Sequence, residues 1–508
     1  MWPLALAALC AGGLAACGGG GGAGATTAPP QPRVFIDVVA ALPTELDPAS
    51  EQGPAFDILE SSLAATLVRP AAPPLSAATL AAPGAVVGFL ASGWHELAGG
   101  DYVFELRRGV RSAFGHELSA ADVAFSFRRE LAHSPSARFL AAAARIRLAD
   151  PVSAIAPERV RVNVTAPSSL TLAVLADFRF AVLDSRAVRA HERAGDPDAH
   201  AWLAAHLAFY SPYELDGFEP GRRVLLRAVA HPWVPLAYAR VAIEADAGPA
   251  LRLADVAAAE ASHTSALGGS AFAAAAATSG LLVRVLPSTQ VSTLVPDERF
   301  RPFASALVRR ALSLSLDRAA IARTAFGGFA AAAAEPLPAA LALPDGVAAP
   351  TFAHDAALAR RLLARAGYPR GFSFTLAGGS DAERGALSAE LRAIGLRALP
   401  RAGGPADAQL LTVSAPVASA GLWIDSQYLR GAPGNIEGFD SPALDALGGA
   451  LTSAQPAPAL ARALAILAAQ TPVIPLVELP QQLVSRAQIS GYAAYASEAT
   501  YYDRLAPS

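Results

Sequence analysis

Cys17 is the residue whose setting most clearly prescribes a reaction. Leu14-Ala15-Ala16-Cys17, followed by glycine from Gly18 to Gly22, has the form of a bacterial lipobox. In such a motif the preceding peptide is cut away and the cysteine is lipidated. The run from Trp2 to Leu14 is apolar but shorter than the ~20 residues that span a bilayer core. It reads as a signal-peptide apolar region, removed with residues 1–16. No Lys or Arg precedes it, the one part of a signal peptide that is missing. A buried cysteine in an alanine-rich helix is the other reading, and the glycine run argues against it because glycine is a poor helix former. Cleavage there also removes Cys10, leaving no thiol for a disulfide, a redox couple or a zinc–thiolate site.

Elsewhere the residue types offer no reaction centre, and no enzyme is expected. The nucleophile elbow G-x-S-x-G and the zinc motif H-E-x-x-H are both absent. His191, His200 and His206 gather near Asp196 and Asp198. Helix neighbours lie three or four apart, so the spacing of His200 and His206 puts them on opposed faces, and no metal or cofactor is expected. Basic doublets such as Arg107-Arg108, Arg128-Arg129 and Arg309-Arg310 are scattered, and the net charge is -3. Nucleic acid is therefore not an expected partner.

The elements that must carry the chain are mixed. At ~100–200 residues per domain, a chain of this length holds two to four. The mean hydropathy of +0.35 comes mainly from alanine, and no long run of large apolar side chains follows Cys17. All 40 basic residues are arginine, a bias of codon composition rather than a functional signal. Gly18 to Pro32 reads as a flexible tether, and folded sequence is expected from near Arg33. Val34 to Val39 reads as a buried strand, while Tyr102/Phe104/Leu106, Val160/Val162/Val164 and Phe372/Phe374/Leu376 alternate as half-buried strands do.

Helices are marked by their ends. Ser119 and Asp122 have capping-box spacing ahead of Val123, Phe127 and Leu131. Asp317 caps a helix ending at Gly327-Gly328. Another starts at Asp355, buries Leu358, Leu362 and Leu363, and stops at Gly367 before Pro369. Strands and helices intermingle throughout, which argues for an α/β fold. The alanine-rich stretches 271–280 and 330–350 read equally well as helices or as connections.

Four blocks in register then resemble one family, the extracytoplasmic solute-binding proteins of family 5, the peptide- and nickel-type binders of ABC importers. The first is Leu46-Asp47-Pro48. The second runs from Leu90-Ala91-Ser92-Gly93-Trp94 through Tyr102 to Val110 and on from Phe114 to Phe127. Val308 to Leu312 with Leu316-Asp317-Arg318 is the third. Asp355 to Tyr368-Pro369 with Gly371-Phe372 is the fourth.

The resemblance implies a two-lobed periplasmic-binding-protein fold, type II, in its three-domain form. Residues 33–68, 180–285 and 476–508 would make a discontinuous first lobe, 69–179 an inserted extra domain, and 286–475 the second lobe. It implies capture of a peptide-like or other small solute between the lobes and delivery to an ABC permease and its ATPase subunits. The setting would be periplasmic or extracytoplasmic, with the lipid on Cys17 holding the protein to the membrane. A lipid-anchored sensor or envelope interaction protein, uncoupled from transport, is the alternative.

Pro43, Thr44 and Glu45 become candidate ligand contacts because the loop before the Leu-Asp-Pro match faces the cleft in the family. Trp423, Asp425 and Asn435 are the candidates from the other lobe. Trp423 reads equally as a packing residue, Asp425 as a solvated loop charge and Asn435 as a turn former. The chain departs from the family in one respect. Where peptide binders carry an acidic anchor for the ligand's amino terminus, this chain has Val413, Pro416, Ser419 and Ala420. Only Asp425, beside Trp423, could replace it.

Overall fold

The computed structural model describes residues 34–50 and 53–508; the apolar leader, Cys17 and the tether lie outside them. Three sheets of four or more strands, beside two of two strands each, organise the described residues. The first orders seven strands as Leu281–Leu286, Gln481–Arg486, His263–Thr264, Val34–Val39, Arg240–Ala245, Arg223–Ala228 and Tyr213–Glu219. Val34–Val39 is central and parallel to both neighbours. Its sequence, apolar except for Asp37, buries Phe35 on one face and Val38 on the other, as fits a strand inside the sheet.

The second sheet orders six strands as Ala331–Ala332, Ile474–Glu478, Val291–Pro296, Ala408–Val413, Ser373–Gly378 and Arg397–Pro400. The third is a four-stranded antiparallel sheet of Ala91–Glu96, Tyr102–Leu106, Arg159–Val162 and Val152–Ala156. Phe372 falls just outside its expected strand, which begins at Ser373, and packs its ring on Phe303 and Tyr368 instead.

Helix ends follow their caps. Ser119 Oγ and N both donate to Asp122 Oδ2, at 2.7 and 2.9 Å, and the helix Ala120–His133 buries Val123, Phe127 and Leu131 on the third sheet. Asp317 accepts from Ala320 N at 2.9 Å to start Arg318–Phe326, which Gly327 ends at a φ of 63°. In Ala356–Arg365, Leu362 and Leu363 are buried while Leu358 is only partly so. Of the two alanine-rich stretches, the first forms most of the helix Gly269–Ala276. The second is mainly irregular, held by buried Leu337, Ala340 and Leu341. No helix among the described residues is long and apolar enough to cross a membrane.

Two details of connectivity position the site. The chain crosses between the first and second sheets through residues 287–290 and again through 479–480. The crossings run side by side, with Leu479 N donating to Gln290 O at 2.9 Å. The third sheet is locked to the first through Asp47. That carboxylate is fully buried and accepts both Arg129 Nη atoms, at 2.8 and 2.6 Å, with His200 Nδ1 2.7 Å away. The Leu-Asp-Pro motif is thus a structural clamp.

Candidate ligand-binding cleft

Beside the two crossings lies a cavity of about 570 Å³, walled on one side by strands of the first sheet and on the other by the helices Arg318–Phe326 and Asp381–Arg392, which pack on the second. A second cavity of about 270 Å³ adjoins it, and Ile58, Gln290 and Glu498 line both. The first sheet contributes Asp37 and His263, the loop Val39 to Leu42, and the turn from Ser265 to Gly269. Across from them stand Phe326, Phe329, Ser380 and Glu383. The floor is the crossing itself, with Gln290 and residues 479–483, and the C-terminal segment closes one side with Tyr492, Tyr495, Tyr501 and Tyr502. A volume of this size suits a small organic solute, for which sites of ~300–1,000 Å³ are usual.

Most polar groups in the wall are committed to one another. His263 Nδ1 lies 2.7 Å from Asp37 Oδ1, and the Tyr502 hydroxyl donates to Asp37 Oδ2 at 2.9 Å. Glu383 accepts from Ser292 Oγ and from Ser380 N, both at 2.8 Å. Leu267 N and Gly268 N donate to Gln482 Oε1 at 2.8 and 3.2 Å. Glu498 sits against the crossing, where Ser288 Oγ donates to its Oε1 at 2.7 Å and Gln481 Nε2 to its backbone O at 3.3 Å. It lines both cavities, and burial pushes its carboxyl above the ordinary range. Gln481 Oε1 accepts no hydrogen bond.

The six candidate contacts are not gathered in one place, and none lines either of these two cavities. Pro43 is buried, its carbonyl accepting from Gly221 N at 2.8 Å; Thr44 is exposed; Glu45 lies 3.7 Å from His200 Nε2. Trp423 is buried beside a small pocket with Thr293 and Leu411. Asp425 is half-buried toward Arg145, and burial raises its carboxyl to about 6. Asn435 is spent on a turn: Nδ2 donates to Leu429 O and Phe439 O at 3.0 and 2.8 Å, and Oδ1 accepts from Phe439 N at 3.0 Å. Their chain neighbours Leu42, Leu422, Ser426 and Gln427 do line the cavities.

The histidines part company as well. His191 and His206 stack on the two sides of Trp202, while His200 bonds Asp47. The helix here is only His200–Leu203, so different partners, and not opposed helix faces, separate them. Sequence reasoning passed over Glu498, Gln290 and the tyrosines. One signal was available: four of the ten tyrosines fall between Tyr492 and Tyr502.

Comparison with known proteins supplies the context. The family model described as bacterial extracellular solute-binding proteins, family 5 Middle, matches residues 85–404. The glutathione-binding protein GsiB of Escherichia coli O157:H7 is 25% identical over 277 residues, 54% of this chain and 52% of that protein. GsiB of Shigella flexneri serotype 5b is 38% identical over 76 residues, 15% of each chain. The matched part thus spans about half the length of these curated relatives, or less.

Among solved structures, DppA from Helicobacter pylori in complex with the peptide STSA has a TM-score of 0.79 at 19% identity, covering 93% of this chain and 98% of that one. The dipeptide-binding protein of Pseudoalteromonas sp. SM9913 in complex with Met-Leu has a TM-score of 0.77 at 19% identity, covering 94% and 100%. The murein tripeptide binding protein MppA of Escherichia coli has a TM-score of 0.76 at 17% identity, covering 94% and 99%. Likeness at these identities shows the fold, the mixed α/β architecture of periplasmic binding proteins.

Proposed function

Because the chain belongs to the bacterial extracellular solute-binding proteins of family 5, we propose that it captures a small solute, peptide-like in size, in the cavity between its two larger sheets and delivers it to an ABC permease. The family and its structural neighbours are binding proteins, not enzymes. The observation that carries the reading is the pairing of a solute-sized cavity with two short, adjacent crossings. Among the described residues the chain passes between the two larger sheets only there, and lobes connected in this way can swing about that line. We assign the first lobe to the seven-stranded sheet and the second to the six-stranded one. The second crossing then falls at 479–480 and not at the expected 475/476, since Ile474–Glu478 pairs within the second sheet. The extra domain is the one built on the third sheet, and the membrane anchor is the lipid on Cys17.

The energetics set what the wall must do. Micromolar capture needs ~8 kcal/mol of binding free energy. Driving closure from 1:99 to 99:1 needs the closed form to bind ~5.5 kcal/mol better than the open one. Contacts from both lobes at once, as this wall offers, are how that difference arises.

Native mass spectrometry of the gently purified chain tests the proposal, with a co-purifying small molecule as the expected result. Adding that molecule back to stripped protein is then expected to raise the melting temperature with concentration. Failure of every small solute to do so would refute capture. In cells, palmitate labelling is expected to vanish in Cys17→Ser, and labelling that persists would remove the anchor.

A further inference from the structure

The cavity is unequal in charge. Asp37, Glu383 and Glu498 face it, yet among the described residues that line the larger cavity there is no arginine, and the chain contains no lysine. His263, the one basic ring in the wall, is held by Asp37 at 2.7 Å. In the adjoining cavity the one arginine is Arg179. It is already engaged by Asp177 at 3.1 Å and Asp57 at 3.2 Å.

Helix starts give an anion little more. The amide groups leading into Gly269–Ala276 are taken by Gln482 Oε1, and Ser380 N at the head of Asp381–Arg392 by Glu383. A ligand carboxylate in this wall would lose its water and gain no cation, which is costly.

Acceptors, by contrast, are in surplus. Asp37 is matched by His263 and Glu383 caps a helix, but Glu498 has only the neutral side chains of Ser288, Gln290 and its surroundings against its charge. Gln481 Oε1, at the same place, is unmatched. The tyrosines add less than their number suggests: Arg504 already lies 5.0 Å from the Tyr501 ring centre, Tyr492 packs on His263 at 5.4 Å, and the Tyr492 hydroxyl is left without a partner. Glu498 also touches the crossing at Ser288, so charge arriving there bears directly on the segment about which the lobes would turn.

We infer that the solute is an organic cation without a free carboxylate, such as an amine or a peptide with a blocked carboxyl end, and that Glu498 receives its positive charge. This rests on the cavity being the solute site.

Matched ligands test it by calorimetry on the stripped full chain. The four probes are leucyl-leucine, its carboxamide, N-acetyl-leucyl-leucine and N-acetyl-leucyl-leucine amide. The carboxamide is expected to bind at least tenfold tighter than the free dipeptide, with no binding by the acetylated acid. In Glu498→Gln, which keeps the side-chain shape, the carboxamide is expected to lose at least tenfold while the neutral acetylated amide is unchanged. A free dipeptide that binds as well as its amide would overturn the inference and leave capture standing, as would a Glu498→Gln variant with unaltered preference. If none of the four binds, the solute released from the chain on denaturation decides. A cation lacking a carboxylate upholds the inference, a carboxylate overturns it alone, and no solute at all ends the capture reading with it.

Discussion

Glu130 lies in the helix Ala120–His133 and is 3% exposed. Burial raises its carboxyl to about 8; Arg129 pulls the other way and Asp47 adds to the rise. Glu60 nearby is fully buried with neither carboxyl oxygen hydrogen-bonded, and its carboxyl is raised well above the ordinary range. Burial lifts Glu437 to about 7 and Asp425 to about 6. In the unfolded chain such groups ionise near ~4. The native state therefore binds more protons across the interval, and stability falls as pH rises through the folded values. Denaturant unfolding is expected to show lower stability at pH 9 than at pH 5. Glu130→Gln is expected to recover at least about 1.4 kcal/mol of that loss, the worth of one pKa unit. A pH slope identical to that of the parent would clear this carboxyl.

Among the elements, caps and stops carry the most specific information. The block resembling Tyr-Pro-x-Gly-Phe has a steric reason in Gly371. Its φ is 73°, and a Cβ there would lie 2.0 Å from Gly395 O. Two turns press back to back at this point, one leading into Ser373–Gly378 and the other into Arg397–Pro400. Gly371→Ala is expected to destabilise by about 3 kcal/mol, combining left-handed strain with a backbone clash. Gly385, inside Asp381–Arg392, meets nothing within 4 Å, so Gly385→Ala is expected to stabilise by about 0.5–1 kcal/mol. Urea midpoints at unchanged slope would measure both, and a neutral Gly371→Ala would refute the steric account. Elements of this kind were legible because their signals are local: Ser119 and Asp122, or Asp317 and Gly327, specify a helix end within a few residues. The alanine-rich stretches were not, since alanine favours a helix but packs too little surface to enforce one.

At the scale of the whole molecule, the helix Gly269–Ala276 beside the first sheet also meets the end of Arg318–Phe326 beside the second, away from the crossings. Phe272 packs on Phe329 at a centroid distance of 6.3 Å, and a Cβ on Gly327 would lie 3.3 Å from Gly269 Cα. A cysteine at each of Gly269 and Gly327 comes within reach of a disulfide. In the body from Arg33 onward, which has no native thiol, the oxidised double variant is expected to stop exchanging bound solute and to resume on reduction. Equal release rates under both conditions would exclude lobe opening as the route. By itself the sequence determined the α/β class, the main strands, the helix ends and the family likeness, because each is written in neighbouring residues or in blocks of fixed spacing. The cleft was decided by tertiary structure alone. Asp37, His263, Gln290, Glu383 and Glu498 come together from segments far apart in the chain, and no local pattern records that two distant crossings lie side by side. The charge of the wall followed from the same event, since it depends on which arginines folding had already paired with other carboxylates.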